Sequence, residues 1–191
     1  MKRIRIAILM ALSMVVGGSA MATEKQFASP DGNLVVTVND EGGKPVYQVS
    51  LGGTAFLNPS PLGLYTNIGD LFQNLTMKDC QVRTVSDNYT LKTTKQRQIS
   101  YEATEAVCQF EQNGRQVLDV IFRVSNRDVA FRYKLYPRRA RGGETLVAVI
   151  TDEASGFVLP EGTTTFLCPQ SRPMGGFART RSEERRVGKE C

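Results

Sequence analysis

The chain is 191 residues long, contains no His and no Trp, and carries a formal net charge of +5. Lys2, Arg3 and Arg5 supply three of those charges and residues 181–191 one more, so residues 23–180 carry only +1 and a phosphate-tracking surface is not indicated. Without His there is no Ser-His-Asp or Cys-His catalysis, and the commonest transition-metal ligand is missing.

Lys2, Arg3 and Arg5, the apolar run Ile6 to Val16, and Ala20-Met21-Ala22 have the order of a secretory signal peptide, so residues 1–22 are expected to be removed after Ala22. The apolar run is short for a bilayer span, and no Cys follows it to carry a lipid. The expected mature protein is exported, with no membrane contact after cleavage.

Residues 27–33 form a turn-rich opening, Leu34 to Val38 a strand, Asn39 to Pro45 a turn, and Val46 to Ser50 the returning strand of a hairpin. Gly52-Gly53 leads to a strand over Thr54 to Leu57. Asn58-Pro59-Ser60-Pro61 is expected to be an extended turn before Leu62 to Tyr65. Asn67 to Leu75 reads as a loop and Thr76 to Val85 as a strand. The cationic stretch Asn88 to Gln98, with Lys92, Lys95 and Arg97, reads as a solvated edge or loop. Ile99 to Ala103 and Ala106 to Phe110 follow as strands, and Asn113-Gly114 has the chemistry of a tight hairpin turn.

Val117 to Pro137 carries the clearest pattern. Val120, Phe122 and Val124 alternate with Ile121 and Arg123, and Val129, Phe131, Tyr133 and Leu135 alternate with Ala130, Arg132 and Lys134, with a turn at Ser125-Asn126-Arg127-Asp128. One face of this hairpin is apolar and aromatic, the other cationic. Arg138 to Gly143 reads as a basic connection, and Leu146 to Thr151 and Thr163 to Leu167 as late strands. Short strands without a long amphipathic helix predict an all-β, antiparallel sandwich.

Asp152, Glu153 and Glu161 form an acidic group of the kind that glycoside hydrolysis or calcium coordination uses, although solvated loops carry such groups routinely. Glu102 and Glu105 are no more specific. Cys191 apart, Cys80, Cys108 and Cys168 show neither a disulfide framework nor metal spacing; one bridge is compatible with export, and buried free thiols are the favoured reading. Asn74-Leu75-Thr76 and Asn88-Tyr89-Thr90 fit the N-glycosylation pattern, whose use needs a eukaryotic secretory host.

Arg181 to Cys191, RSEERRVGKEC, resembles the in-frame translation of a sequencing adapter. Residues 181–191 are therefore expected to be an artefactual tail, with the natural reading frame continuing past about Thr180.

SPDGNLVVTV from Ser29, GGKPVYQVSLGG from Gly42, PSPLGL from Pro59, IFRVSNRDVAFRYKLYP from Ile121 and ITDEASGFVLPEGTTTFLCPQ from Ile150 together resemble the N-terminal domain of family 97 glycoside hydrolases. These are exported bacterial α-glucosidases and α-galactosidases. The resemblance covers residues 27–180 and departs from the family at SYEATEAVCQF, from Ser100, where a Tyr-x-Glu-Leu-like string is expected, so no role passes to Glu102 or Glu105.

The resemblance implies a galactose-mutarotase-like supersandwich, incomplete over residues 23–180, followed in the parent by a catalytic (β/α)8 barrel that acts on α-linked oligosaccharides. It implies catalytic carboxylates on that barrel and a calcium ion in the parent whose glutamate ligand from this domain falls beyond Thr180. No catalytic, cofactor-binding or metal-ligating residue is assigned within the chain, and no cofactor is expected in it. The expected compartment is the periplasm or the exterior of a bacterium. The alternative is a free-standing secreted carbohydrate-binding module, which needs an exposed aromatic platform built from Tyr or Phe.

Overall fold

The computed structural model describes residues 23–92, 98–140 and 142–164. Among these described residues eleven strands run in the order β1 (Glu24–Ala28), β2 (Leu34–Asn39), β3 (Val46–Leu51), β4 (Thr54–Pro61), β5 (Leu64–Thr66), β6 (Gly69–Leu71), β7 (Thr76–Thr90), β8 (Gln98–Gln112), β9 (Arg115–Val124), β10 (Val129–Leu135) and β11 (Ile150–Glu153). The helical content of the described residues is one 3-10 turn at Glu41–Gly43. The all-β expectation therefore holds.

Two four-stranded sheets, β1-β2-β3-β4 and β10-β9-β8-β7, form the layers, and a three-stranded sheet, β11-β5-β6, flanks them; every pairing between strands is antiparallel. The layers meet because period-2 alternation gives each an apolar face. Phe27, Val36, Val38, Tyr47 and Val49 of one sheet share a core with Ala106, Phe110, Val120, Phe122 and Val124 of the other. Phe122 sits at its centre, its ring 5.5 Å from Phe27, 5.9 Å from Tyr47 and 5.7 Å from Phe131 between centroids. Burial with these rings raises the Tyr47 hydroxyl pKa above its ordinary value, and the hydroxyl donates to the Gly156 carbonyl at 3.2 Å.

The central hairpin forms as its pattern predicts, with Val129 opposite Val124 and Leu135 opposite Leu118. Ser125 Oγ accepts from the amides of Arg127 and Asp128, both at 3.1 Å, which closes the turn. Asn113 and Gly114 adopt φ of 53° and 70°, the left-handed pair that a two-residue hairpin turn requires. The β2–β3 hairpin also holds, in continuous register from Leu34–Leu51 to Asn39–Val46.

Several boundaries differ from expectation. β1 begins at Glu24 and pairs fully with β2, so the turn is confined to the residues after Ala28. Asp31 fastens that turn: its carboxylate accepts from Ser29 Oγ at 2.6 Å and Asn33 N at 3.0 Å, while its own amide donates to Asn126 Oδ1 at 3.0 Å. Asn58-Pro59-Ser60-Pro61 is strand, not turn. β4 lies at the sheet edge, where a proline costs no ladder bond on its free side, and two register shifts against β3 absorb the irregularity.

Asn67 to Leu75 contains the short strand β6, and the two segments expected around Ala103 and Ala106 are one unbroken strand, β8. Leu146 to Val149 are not strand, and β11 starts only at Ile150. Thr163 and Thr164 are likewise irregular. The rest of the expected last strand, the signal segment, Lys95, Arg97, Cys168 and the 181–191 tail lie outside the described residues.

β7 and β8 pair as far as Thr90 and Gln98, but β9 meets β8 only from Thr104 onward. The outer part of this hairpin is thus a two-stranded arm beyond the sheet.

Candidate functional site

Among the sequence candidates, Asp152 and Glu153 fall on β11, opposite Tyr65 and Leu64 of β5 respectively. Successive residues of a strand point to opposite faces, so the two carboxylates diverge and do not form the facing pair that cleaves a glycosidic bond. Glu161 lies in an exposed turn outside β11. Among the described residues no three His, Cys, Asp or Glu side chains converge into a metal-binding group. The described residues therefore do not fit a calcium site, and calcium enters none of the chemistry below.

A hollow of about 450 Å³ is lined by Leu64, Tyr133, Leu135, Ile150, Asp152 and Glu153. Tyr133 accepts from the Gly63 amide at 2.8 Å, and its hydroxyl also bonds Ser155 Oγ. Burial raises the Tyr133 pKa, the Ser155 and Gly63 bonds oppose the rise, and the Glu153 charge adds to it. The phenol therefore stays protonated near neutral pH and anchors the Gly63 backbone. Gly63 has φ 140°, and a Cβ there would lie 2.5 Å from the Leu71 carbonyl oxygen, so only glycine fits.

Glu105 has a different surrounding from Glu102. Arg83, Glu105 and Arg123 stand directly opposite one another across β7, β8 and β9. Glu105 is 2% exposed, accepting from Arg83 Nε at 2.9 Å and Arg123 Nε at 2.8 Å. The Arg123 bond, then the Arg83 bond, hold its carboxyl below the usual carboxylate range. Both lone-pair regions being engaged, Glu105 is structural. Glu102 is exposed on the arm, opposite Ser86.

Two buried acids gave weaker sequence signals. Asp119 accepts from Tyr136 Oη at 2.7 Å and Gln116 Nε2 at 2.8 Å, and pairs with Lys134 Nζ at 3.4 Å. Its trace in the sequence is one acid inside the apolar run of β9. Asp40 accepts from the amides of Thr23 and Met77, both at 2.7 Å, and nothing in its Gly-rich turn signals that. Long side chains thus close the outer face of the β7-to-β10 sheet over buried charge.

Cys80 and Cys108 are directly opposite on β7 and β8 and form a disulfide, Cα to Cα 4.0 Å. This corrects the reading as free thiols: the spacing of 28 residues conceals that the hairpin brings the two side by side. Asn74 and Asn88 of the glycosylation patterns are both exposed.

Of the exposed apolar side chains, Val82, Tyr89 and Leu91 lie on or just after β7, while a larger group lies along residues 146–158 and the neighbouring β4. Residues 150–158 run beside β4 and β5, with the Asn58 amide donating to the Val158 carbonyl at 2.8 Å, Gly156 N to Pro61 O at 3.0 Å and Ala154 N to Gly63 O at 2.9 Å. On or just before this segment Val147 is 77% exposed, Ile150 54% and Phe157 51%, and Phe56 on β4 is 54% exposed. Beside them an apolar cleft of about 420 Å³ opens between the layers, lined by Tyr47, Phe56, Leu57, Phe131, Phe157 and Leu159 among others.

A family model described as Glycosyl-hydrolase 97 N-terminal matches residues 27–188. A probable retaining alpha-galactosidase of Streptomyces bingchenggensis (strain BCW-1) is 37% identical over 120 residues, which is 63% of this chain and 18% of that protein. The crystal structure of a beta-arabinopyranosidase superposes with a TM-score of 0.69 at 40% identity, over 81% of this chain and 24% of that one. A family 97 enzyme from Pseudoalteromonas sp. strain K8, solved in complex with panose, gives a TM-score of 0.65 at 19% identity over 72% of this chain and 20% of that one, a likeness of fold. The chain thus spans between about a fifth and a quarter of the length of these relatives. The match over most of its length, on a β-sandwich of the same fold, shows that the chain belongs to glycoside hydrolase family 97, whose N-terminal domain it carries.

Proposed function

We propose that this domain is the N-terminal part of an exported bacterial glycosidase acting on α-linked galactosides or glucosides, and that in the parent enzyme it packs against a catalytic (β/α)8 barrel. The observation that carries this reading is the apolar margin around Val147, Ile150, Phe157 and Phe56, on a molecule whose opposite sheet face is sealed by its own ion pairs. A cluster of exposed apolar side chains along one segment marks a contact with another body, and domain boundaries are common places for substrate clefts. Chain length in the family relatives leaves ample room for such a barrel.

Export with loss of residues 1–22 is supported by the order of charges and apolar residues there and by the Cys80–Cys108 disulfide, a bond that persists in oxidising compartments. Chemistry belongs to the barrel in this reading, since the described candidates offer no facing carboxylate pair. The domain's part is to bind, orient and wall off the cleft. The further proposal, made on the string RSEERRVGKEC and against a family match that runs to residue 188, is that residues 181–191 are not natural sequence and that the frame runs on beyond about Thr180.

The test is hydrolysis of an aryl α-galactoside and an aryl α-glucoside by the purified 191-residue chain and by the product of the uninterrupted reading frame. Turnover is expected from the second alone. Turnover by the isolated chain above the buffer rate, or by neither protein, contradicts the reading.

A further inference from the structure

We infer that the outer face of the three-stranded sheet is a saccharide-contact site centred on Tyr65. Tyr65 of β5 is paired with Asp70 of β6 on one side and with Asp152 of β11 on the other, the β11 register resuming at Asp152 after a shift that follows Ile150. Opposed residues of antiparallel strands project from the same face, so the phenol lies between two carboxylates. All three residues are exposed, whereas Leu64 and Thr66, on either side of Tyr65 along β5, are buried and mark the other face as the inner one.

Phe72 packs against the Tyr65 ring at 4.4 Å between centroids and an interplanar angle of 42°, which orders the ring while Tyr65 stays 37% exposed. The carboxylates are oriented but not saturated. Asp70 Oδ2 accepts from Gln73 Nε2 at 3.4 Å, and Asp152 Oδ1 accepts from the Glu153 amide at 2.8 Å. Each keeps further lone pairs for a ligand.

An ordered, solvent-facing ring suits the apolar C–H face of a pyranose, and flanking carboxylates accept from its hydroxyls. The same carboxylates repel anionic ligands, which selects a neutral polyhydroxylated molecule. Two interstrand spacings, about 10 Å, separate the flanking strands and leave room for more than one sugar ring. The platform rests on this geometry; the choice of a glycan as ligand rests on the glycosidase reading above. The contact is a holding site, separate from any hydrolytic centre.

Saturation-transfer NMR on the full 191-residue chain, with maltotriose and with an α-1,6-linked galactobiose as probes, tests it. Transfer to at least one sugar is expected, falling severalfold in Tyr65→Leu and in Asp70→Asn/Asp152→Asn. Tyr89→Ala, which removes an exposed phenol on the β7–β8 arm, serves as the control and leaves the signal intact. Thermal midpoints certify the fold of each variant, and the carboxamide pair at exposed positions keeps the test open if Tyr65→Leu does not fold. Absence of transfer from the folded chain to both sugars, or an unchanged signal in either folded platform variant, overturns the inference. Hydrolysis by the uninterrupted frame without such binding would remove this site and leave the glycosidase reading standing.

Discussion

Glu105 and Arg123 face one another across β8 and β9, with Arg123 Nε donating to Glu105 Oε2 at 2.8 Å and Arg83 holding the other carboxylate oxygen. The acid is 3% exposed in its side chain, but its partners are 71% and 47% exposed, so solvent screens much of the attraction. Glu105→Ala is expected to destabilise the domain by about 1–2 kcal/mol, a drop of a few degrees in Tm. An unchanged midpoint would show that the Arg83–Glu105–Arg123 ion pairs contribute nothing.

The same bond sets a pH dependence. Because the folded Glu105 carboxyl lies below its usual range, its contribution is fully present above the unfolded value of about 4.3 and is lost as pH falls through the lower folded value. Denaturant titrations at pH 7 and in the acid range should show Glu105→Gln destabilised relative to the parent at neutral pH, with the gap narrowing in acid. A gap that stays constant with pH would contradict the shift.

The Cys80–Cys108 bond closes the long β7–β8 hairpin at a point where Cys108 is fully buried. Cys80→Ala/Cys108→Ala is expected to lose about 2–4 kcal/mol, in line with cross-links of this loop size. Alkylation of the oxidised, denatured chain followed by peptide mapping checks the bond itself. Carbamidomethyl groups on both cysteines would mean that they are free thiols.

The apolar margin should make the isolated chain prone to association. Val147→Ser/Ile150→Ser replaces two exposed side chains that make no contribution to the core. Light scattering should report more monomer for this variant, with a thermal midpoint within a degree or two of the parent. Unchanged association would place the sticky surface elsewhere.

The parts of the fold legible in the sequence are those where period-2 alternation meets strong turn chemistry. Ser125 to Asp128 and Asn113-Gly114 fix two hairpins, and Phe122, Val124, Phe131 and Tyr133 declare the inner face. Strand β4 was hidden by Pro59 and Pro61, since whether proline ends a strand depends on its being at an edge, which is a tertiary fact. Strand β1 was hidden by polarity, with only Phe27 buried.

Site residues were less legible for the same reason. Glu105 and Glu102 look alike along the chain, and only the neighbouring strands place two guanidinium groups on one of them. Asp70, Tyr65 and Asp152 are separated by up to 87 positions and meet only through register. Family resemblance, carried by the ordered strings from Ser29 to Gln170, identified the domain where local chemistry alone did not.

Sequencing long reads across the genomic locus beyond the Thr180 codon tests the central claim most directly. The expected result is a frame that continues, without RSEERRVGKEC, into alternating strand and helix patterns of about 250 residues with carboxylates at the C-terminal ends of strands, where a catalytic barrel places them. A natural stop codon directly after Cys191 would contradict it and leave a free-standing sugar-contacting sandwich as the reading to pursue.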